Sequence, residues 1–76
     1  MRDLVEYLTR ALVDDPEAVV VEEVEENGDI VLEITVAPDD IGRVIGRGGR
    51  IANAIRTLAK AAAVREDRRV IVDILD

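Results

Sequence analysis

Apolar positions change their period along this chain, and each change marks an element. Leu4, Val5, Leu8, Ala11 and Leu12 recur at helical spacing, so residues 2–13 read as an amphipathic helix that Asp14-Asp15-Pro16 stops. Val19, Val20 and Val21 open a β-branched run, and Ile30, Leu32, Ile34 and Val36 alternate with Val31, Glu33 and Thr35. The two runs predict strands joined at Asn27-Gly28, a pair that tolerates positive φ and suits a hairpin. The second strand has one apolar face and one mixed face.

Pro38-Asp39-Asp40 predicts a helix start, with acidic side chains placed to cap free N–H groups. A short helix should run to about Ile45 and end at Gly46, because glycine readily takes the left-handed conformation past a helix terminus. Beyond Gly49, the positions Ile51, Ile55, Leu58 and Ala62 predict a longer helix to about residue 63 or 64. Arg65 to Arg69 reads as a polar turn, and Val70, Ile71, Val72, Ile74 and Leu75 as a last strand, largely covered. The order is helix, strand, strand, helix, helix, strand: an α+β domain with a three-stranded sheet and three helices on one face.

Composition limits what such a domain does. With 76 residues, 1–76 is a single domain that buries only about 60% of its unfolded surface. The core must be aliphatic, since Tyr7 is the only aromatic residue. There is no His, Cys or Ser, which removes most nucleophilic and proton-transfer chemistry, all disulfides and all thiolate metal sites. Glu22, Glu23, Glu25, Glu26 and Asp29 lack the spacing of a calcium loop and read as a solvated strand and turn. No enzyme, cofactor or metal is expected. The lack of a signal-like or membrane-length apolar run predicts a soluble, cytoplasmic protein.

Charge singles out one segment. From Ile41 to Arg65 the chain carries Arg43, Arg47, Arg50, Arg56, Lys60 and Arg65 and no acid, a local +6. Elsewhere four cations face seventeen acids, so the remainder is −13 and the whole −7. The cationic segment centres on Val44-Ile45-Gly46-Arg47-Gly48-Gly49-Arg50-Ile51, a glycine-rich turn between two apolar helical stretches. Glycine at 46 and 49 lets main chain approach a ligand closely, the following helix start adds a partial positive charge, and Arg47 can fork onto phosphate oxygens. Ile45 and Ile51 also suit core packing, as do Ile34, Ile41 and Val44.

This segment and the element order resemble a type II KH domain. Val44 to Ile51 is similar to the family's V-I-G-x-x-G-x-x-I core, continued by Ala54, Ile55 and Leu58, and the resemblance to the small bacterial KhpA family spans the whole chain. It implies a single-stranded RNA-binding module that clamps about four nucleotides against an aliphatic floor. The candidate residues are Gly46, Arg47, Gly48, Gly49, Arg50, Arg43, Ile45 and Ile51, with Ile41 and Val44 near the same groove, Ile34 and Thr35 on the adjoining strand, and Arg56 and Lys60 beyond them. Gly48 departs from the polar or basic residue common at that place, which implies a looser turn with one contact fewer. The resemblance further implies an RNA chaperone in post-transcriptional regulation, a homodimer or a complex with the RNA-binding protein KhpB, and a role in cell-wall homeostasis and cell length.

Two other classes fit parts of the pattern. A helix-turn-helix reader of duplex DNA would place residues 50–64 in a major groove, though Ile51, Ala52, Ala54 and Ile55 offer few base-reading groups. A protein-interaction domain would use the apolar helix end from Ala59 to Val64.

Overall fold

The computed structural model describes residues 1–75, with Arg47 described by its backbone alone. Its elements are α1 (Arg2–Leu12), a 3₁₀ turn (Pro16–Ala18), β1 (Val20–Glu26), β2 (Asp29–Thr35), α2 (Pro38–Arg65) and β3 (Val70–Leu75).

The hairpin follows from its turn pair. Asn27 and Gly28 take φ of 54° and 84°, and β1 pairs antiparallel with β2 from Glu26↔Asp29 to Val20↔Thr35. β3 joins the other side of β2 in parallel, from Ile30↔Val70 to Thr35↔Leu75. Parallel neighbours cannot be joined by a tight turn, so α2 serves as the crossover and is held against the sheet. The strand order β1-β2-β3 makes β2 central.

The expected apolar face of β2 lies inward. Ile30, Leu32 and Ile34 are buried with Val21, Val70 and Val72 against Val5 of α1 and Val44, Ala52, Ile55 and Ala59 of α2. Burying each large aliphatic contributes roughly 1.5–3 kcal/mol. Helical segments thus cover one sheet face, and the architecture is the expected α+β KH-like one.

Several local expectations change. The helix expected to end at Gly46 is part of one helical run to Arg65, and the left-handed residues are Gly48 and Gly49, both at φ 72°. β3 is an edge strand covered on one side only, with Ile71 and Leu75 exposed. On α1 the buried positions are Val5 and Thr9, while Leu4, Tyr7 and Leu12 are exposed. α1 packs chiefly on α2, β1 and the 3₁₀ turn, so a narrow stripe suffices. The Thr9 hydroxyl is buried without cost because it donates to the Val5 carbonyl at 2.8 Å. At the other side of α1, Arg2 Nε donates to the Val21 carbonyl at 2.7 Å, which blunts the free edge of β1.

Asp40 takes a different role from the one its position suggested. α2 starts from Ala37 without a side-chain cap, and the Asp40 carboxylate, 1% exposed, accepts the backbone N–H groups of Asp14 and Asp15, each at 3.0 Å. It therefore fastens the α1 exit to the start of α2. At the far end, Arg68 N–H reaches the Ala63 carbonyl at 3.0 Å and Asp67 N–H the Val64 carbonyl at 3.1 Å, with Asp67 at φ 54°. This is a Schellman ending with an aspartate where glycine is usual.

Asp40→Ala should cost about 1–3 kcal/mol, read as a lower urea midpoint at constant m-value, with Asp40→Asn retaining part of the loss. Asp67→Gly should stabilise the domain by about 1 kcal/mol and raise its melting temperature.

Candidate nucleic-acid interface

The glycine turn is open. A Cβ added at Gly46 or Gly48 would meet nothing within 4 Å, and one at Gly49 only the Asn53 side-chain nitrogen at 3.8 Å. The need for glycine here therefore has two sources. Gly48 and Gly49 are required by their backbone, whose φ of 72° departs from right-handed helix. Gly46 is under no such demand, so what it supplies is bare surface. The helical limbs on either side of this kink, 38–47 and 50–65, are anchored by Val44 at 0% and Ile55 at 1% exposure.

From the turn a polar stripe descends the second limb. Gly49, Asn53, Arg56 and Lys60 are spaced by four, three and four residues and so share a helix face, about 16 Å long. Arg56 Nη1 donates to Asn53 Oδ1 at 3.3 Å, which lays the guanidinium along this face. The stripe leads into a groove of about 610 Å³ between the end of α2 and β3, whose apolar wall includes Ala63, Val64, Val70 and Val72. Arg56, Lys60, Arg68 and Arg69 line it as well.

Two of these cations are pinned. Arg68 donates from Nη1 to Glu25 at 2.9 Å and from Nη2 to the Gly28 carbonyl at 3.3 Å. The hydrogen bond to Glu25 raises the pKa of its guanidinium above the ordinary value. Arg69 Nε lies 3.8 Å from Asp29. By contrast, Arg50, Lys60 and Arg65 form no ion pair among the described residues, and their charge is unneutralised.

The residues singled out from the sequence are only partly gathered. Gly46, Gly48, Gly49 and Arg50 sit together at the turn, and the Arg47 guanidinium lies outside the described side chains. Ile45 is 45% exposed just before the turn. Ile51 is half-buried against the core and lines a small hollow with Asp39, Gly42 and Arg43. Arg43 is committed elsewhere, 2.9 Å from Asp14 and 3.9 Å from Asp40. Val44 and Ile34 belong to the core and Thr35 to the opposite sheet face, so none of the three joins the turn or the groove. Arg68 and Arg69, which the sequence places in a polar turn, line the groove. Their signal was a basic pair at the entry of a strand, but only the parallel placement of β3 beside α2 brings it to the groove.

Among the described residues no group of three or more His, Cys, Asp or Glu could hold a metal ion, and no helix is long and apolar enough to cross a membrane. A KH-type α+β fold with an open glycine turn narrows the comparison. Residues 2–74 match the family model "KhpA/KhpB, KH domain", and the chain belongs to that family. Relatives named RNA-binding protein KhpA include those of Caldanaerobacter subterraneus, 55% identical over 75 residues, and Clostridium perfringens, 52% identical over 75 residues. Both alignments cover 99% of this chain and all of the relative. That of Halalkalibacterium halodurans is 46% identical over 76 residues, with both chains fully covered. No solved structure matches.

The glycines separate in stability measurements. Gly48→Ala should cost about 1–2 kcal/mol through left-handed strain, whereas Gly46→Ala should be neutral or stabilising by up to about 1 kcal/mol. Urea denaturation of both variants measures the difference.

Proposed function

We propose that this chain is a non-catalytic module for single-stranded RNA, with the strand running from the glycine turn along the second limb of α2 into the groove beside β3. One observation carries the proposal: the open main chain at Gly46 and Gly48 stands at the head of a helix face whose Arg56 and Lys60 line a cation-rimmed apolar groove. Arg47 and Arg50 flank the bare main chain and take phosphate oxygens. Gly49 belongs to the same turn, while Ile45 and Ile51 provide aliphatic contact beside it. Val64 faces bases farther along, over a groove floor closed by the buried Val70 and Val72, and the unpaired edge of β3 offers N–H and C=O groups to base edges. Arg43 contributes least, because Asp14 already neutralises it.

With Tyr7 as the only aromatic, bases are not stacked on rings, so a single copy binds weakly and with loose sequence preference. Association compensates by raising effective concentration. The exposed Leu58, Ala61 and Val64 support self-association or pairing with a second RNA-binding protein of the KhpB type through the end of α2. Action as an RNA chaperone in the cytoplasm, with effects on cell wall and cell length, is supported by family resemblance. A duplex-DNA role is the alternative reading: Ala54, Leu58, Ala61 and Val64 read no base edges in a major groove, which leaves the narrow stripe of Asn53, Arg56 and Lys60 to do so.

Titration of a labelled single-stranded RNA at several salt concentrations tests the site. Three phosphate contacts should give a log–log slope near −2, and Arg50→Ala or Lys60→Ala should each flatten it by about 0.7. Gly46→Asp should abolish binding with the fold retained by circular dichroism. Unchanged affinity in all three variants, or preference for duplex DNA in competition, would remove the proposed path.

A further inference from the structure

The outer face of the sheet is unpartnered, and it is not the polar surface that solvent exposure usually brings. Strand register sorts its nine central positions into three rows that cross the strands. Val20, Thr35 and Leu75 form one row, Glu22, Glu33 and Asp73 the next, and Val24, Val31 and Ile71 the third. Five of the nine are aliphatic, three are acidic and none is cationic. Val20, Val24, Ile71 and Leu75 are 39–47% exposed. A sheet with one face in water normally places polar residues outward, and a parallel pair such as β2–β3 is normally covered on both faces.

The middle row runs against the sheet's own stability. Glu22, Glu33 and Asp73 are direct cross-strand neighbours, about 5 Å apart by strand spacing, and like charges opposite one another destabilise. None of the three forms an ion pair among the described residues.

We propose that this face docks a basic amphipathic helix of a partner protein, laid across the strands, with Lys or Arg side chains over the acidic row and aliphatic side chains on the two flanking rows. The dimensions agree. Cations at i and i+4 on a helix are about 5–6 Å apart, matching the pitch of the carboxylates. The aliphatic rows lie about 7 Å to either side, just beyond the radius of about 5–6 Å of a helix with its side chains, so long aliphatic side chains on its two flanks reach them. Other occupants fit worse. A symmetric pairing of two copies would set one acidic row against the other, and nucleic acid would be repelled by the same charges. The inference stands whether or not the opposite side of the domain binds RNA.

The test uses the full chain, isotopically labelled, and a synthetic helical peptide carrying a lysine stripe between two leucine stripes. Binding should shift the amides of Glu22, Val24 and Val31, weaken with salt, and fail for peptides with glutamate in place of lysine or serine in place of leucine. Glu22→Lys with Glu33→Lys and Asp73→Lys should lower affinity by about tenfold or more. The milder pair Glu22→Gln with Glu33→Gln, which keeps size and fold, should lower it several-fold. Shifts confined to the RNA-side groove or α1, equal binding of the glutamate or serine peptide, or unchanged affinity in folded variants would overturn the proposal. So would amide shifts of Val24 and Val31 on dilution of the protein alone, which would mark this face as occupied by a second copy.

Discussion

The domain depends on the burial of one strand. Ile30, Leu32 and Ile34 of β2 are the only large apolar row flanked by strands on both sides, and all three are 2% exposed or less. A chain of this size has residues enough to cover that row once. The hairpin supplies β1 cheaply, but a parallel β3 demands a crossover, and the crossover is the covering layer. Covering the core and carrying the glycine turn are therefore tasks of a single helix, α2. Its kink at Gly48 and Gly49 lets both limbs remain packed while the turn projects.

The same economy explains how an acidic chain presents a cationic surface. Carboxylates are concentrated in the β1–β2 hairpin and on the outer sheet face, and the cations of α2 are on the other side of the covered layer. Helix and sheet layers pack about 10 Å apart, and at physiological salt charges are screened over roughly 8 Å. The two faces therefore act almost independently on their surroundings. A net charge of −7 describes neither of them.

Fastening is equally divided. Asp40 holds the α1 exit at one end of α2, and Arg68 holds the strand entry to the hairpin turn at the other. Both are charged groups spent on backbone or cross-element contacts, and both sit at the ends of the crossover. Between them, Arg50 and Lys60 form no ion pair among the described residues and leave their charge unneutralised.

What was legible in the sequence is what depends on neighbours in the chain. The hairpin at Asn27-Gly28, the inward face of β2, the element order and the glycine turn all follow from residue type and spacing, because turns and periodicity are local physics. Contacts between distant segments were not legible. Nothing near Asp40 announces that it will receive N–H groups from residues 14 and 15, nor does Arg43 reveal its partner Asp14. The exposed side of β3, the narrow buried stripe of α1 and the arrival of Arg68 and Arg69 at the groove depend on strand order and helix placement. Sequence alone thus determined the strands, the hairpin and the run of helical stretches, though not that α2 continues past Gly46; tertiary structure decided which side of each is covered, because burial is a relation between elements that periodicity within one cannot express.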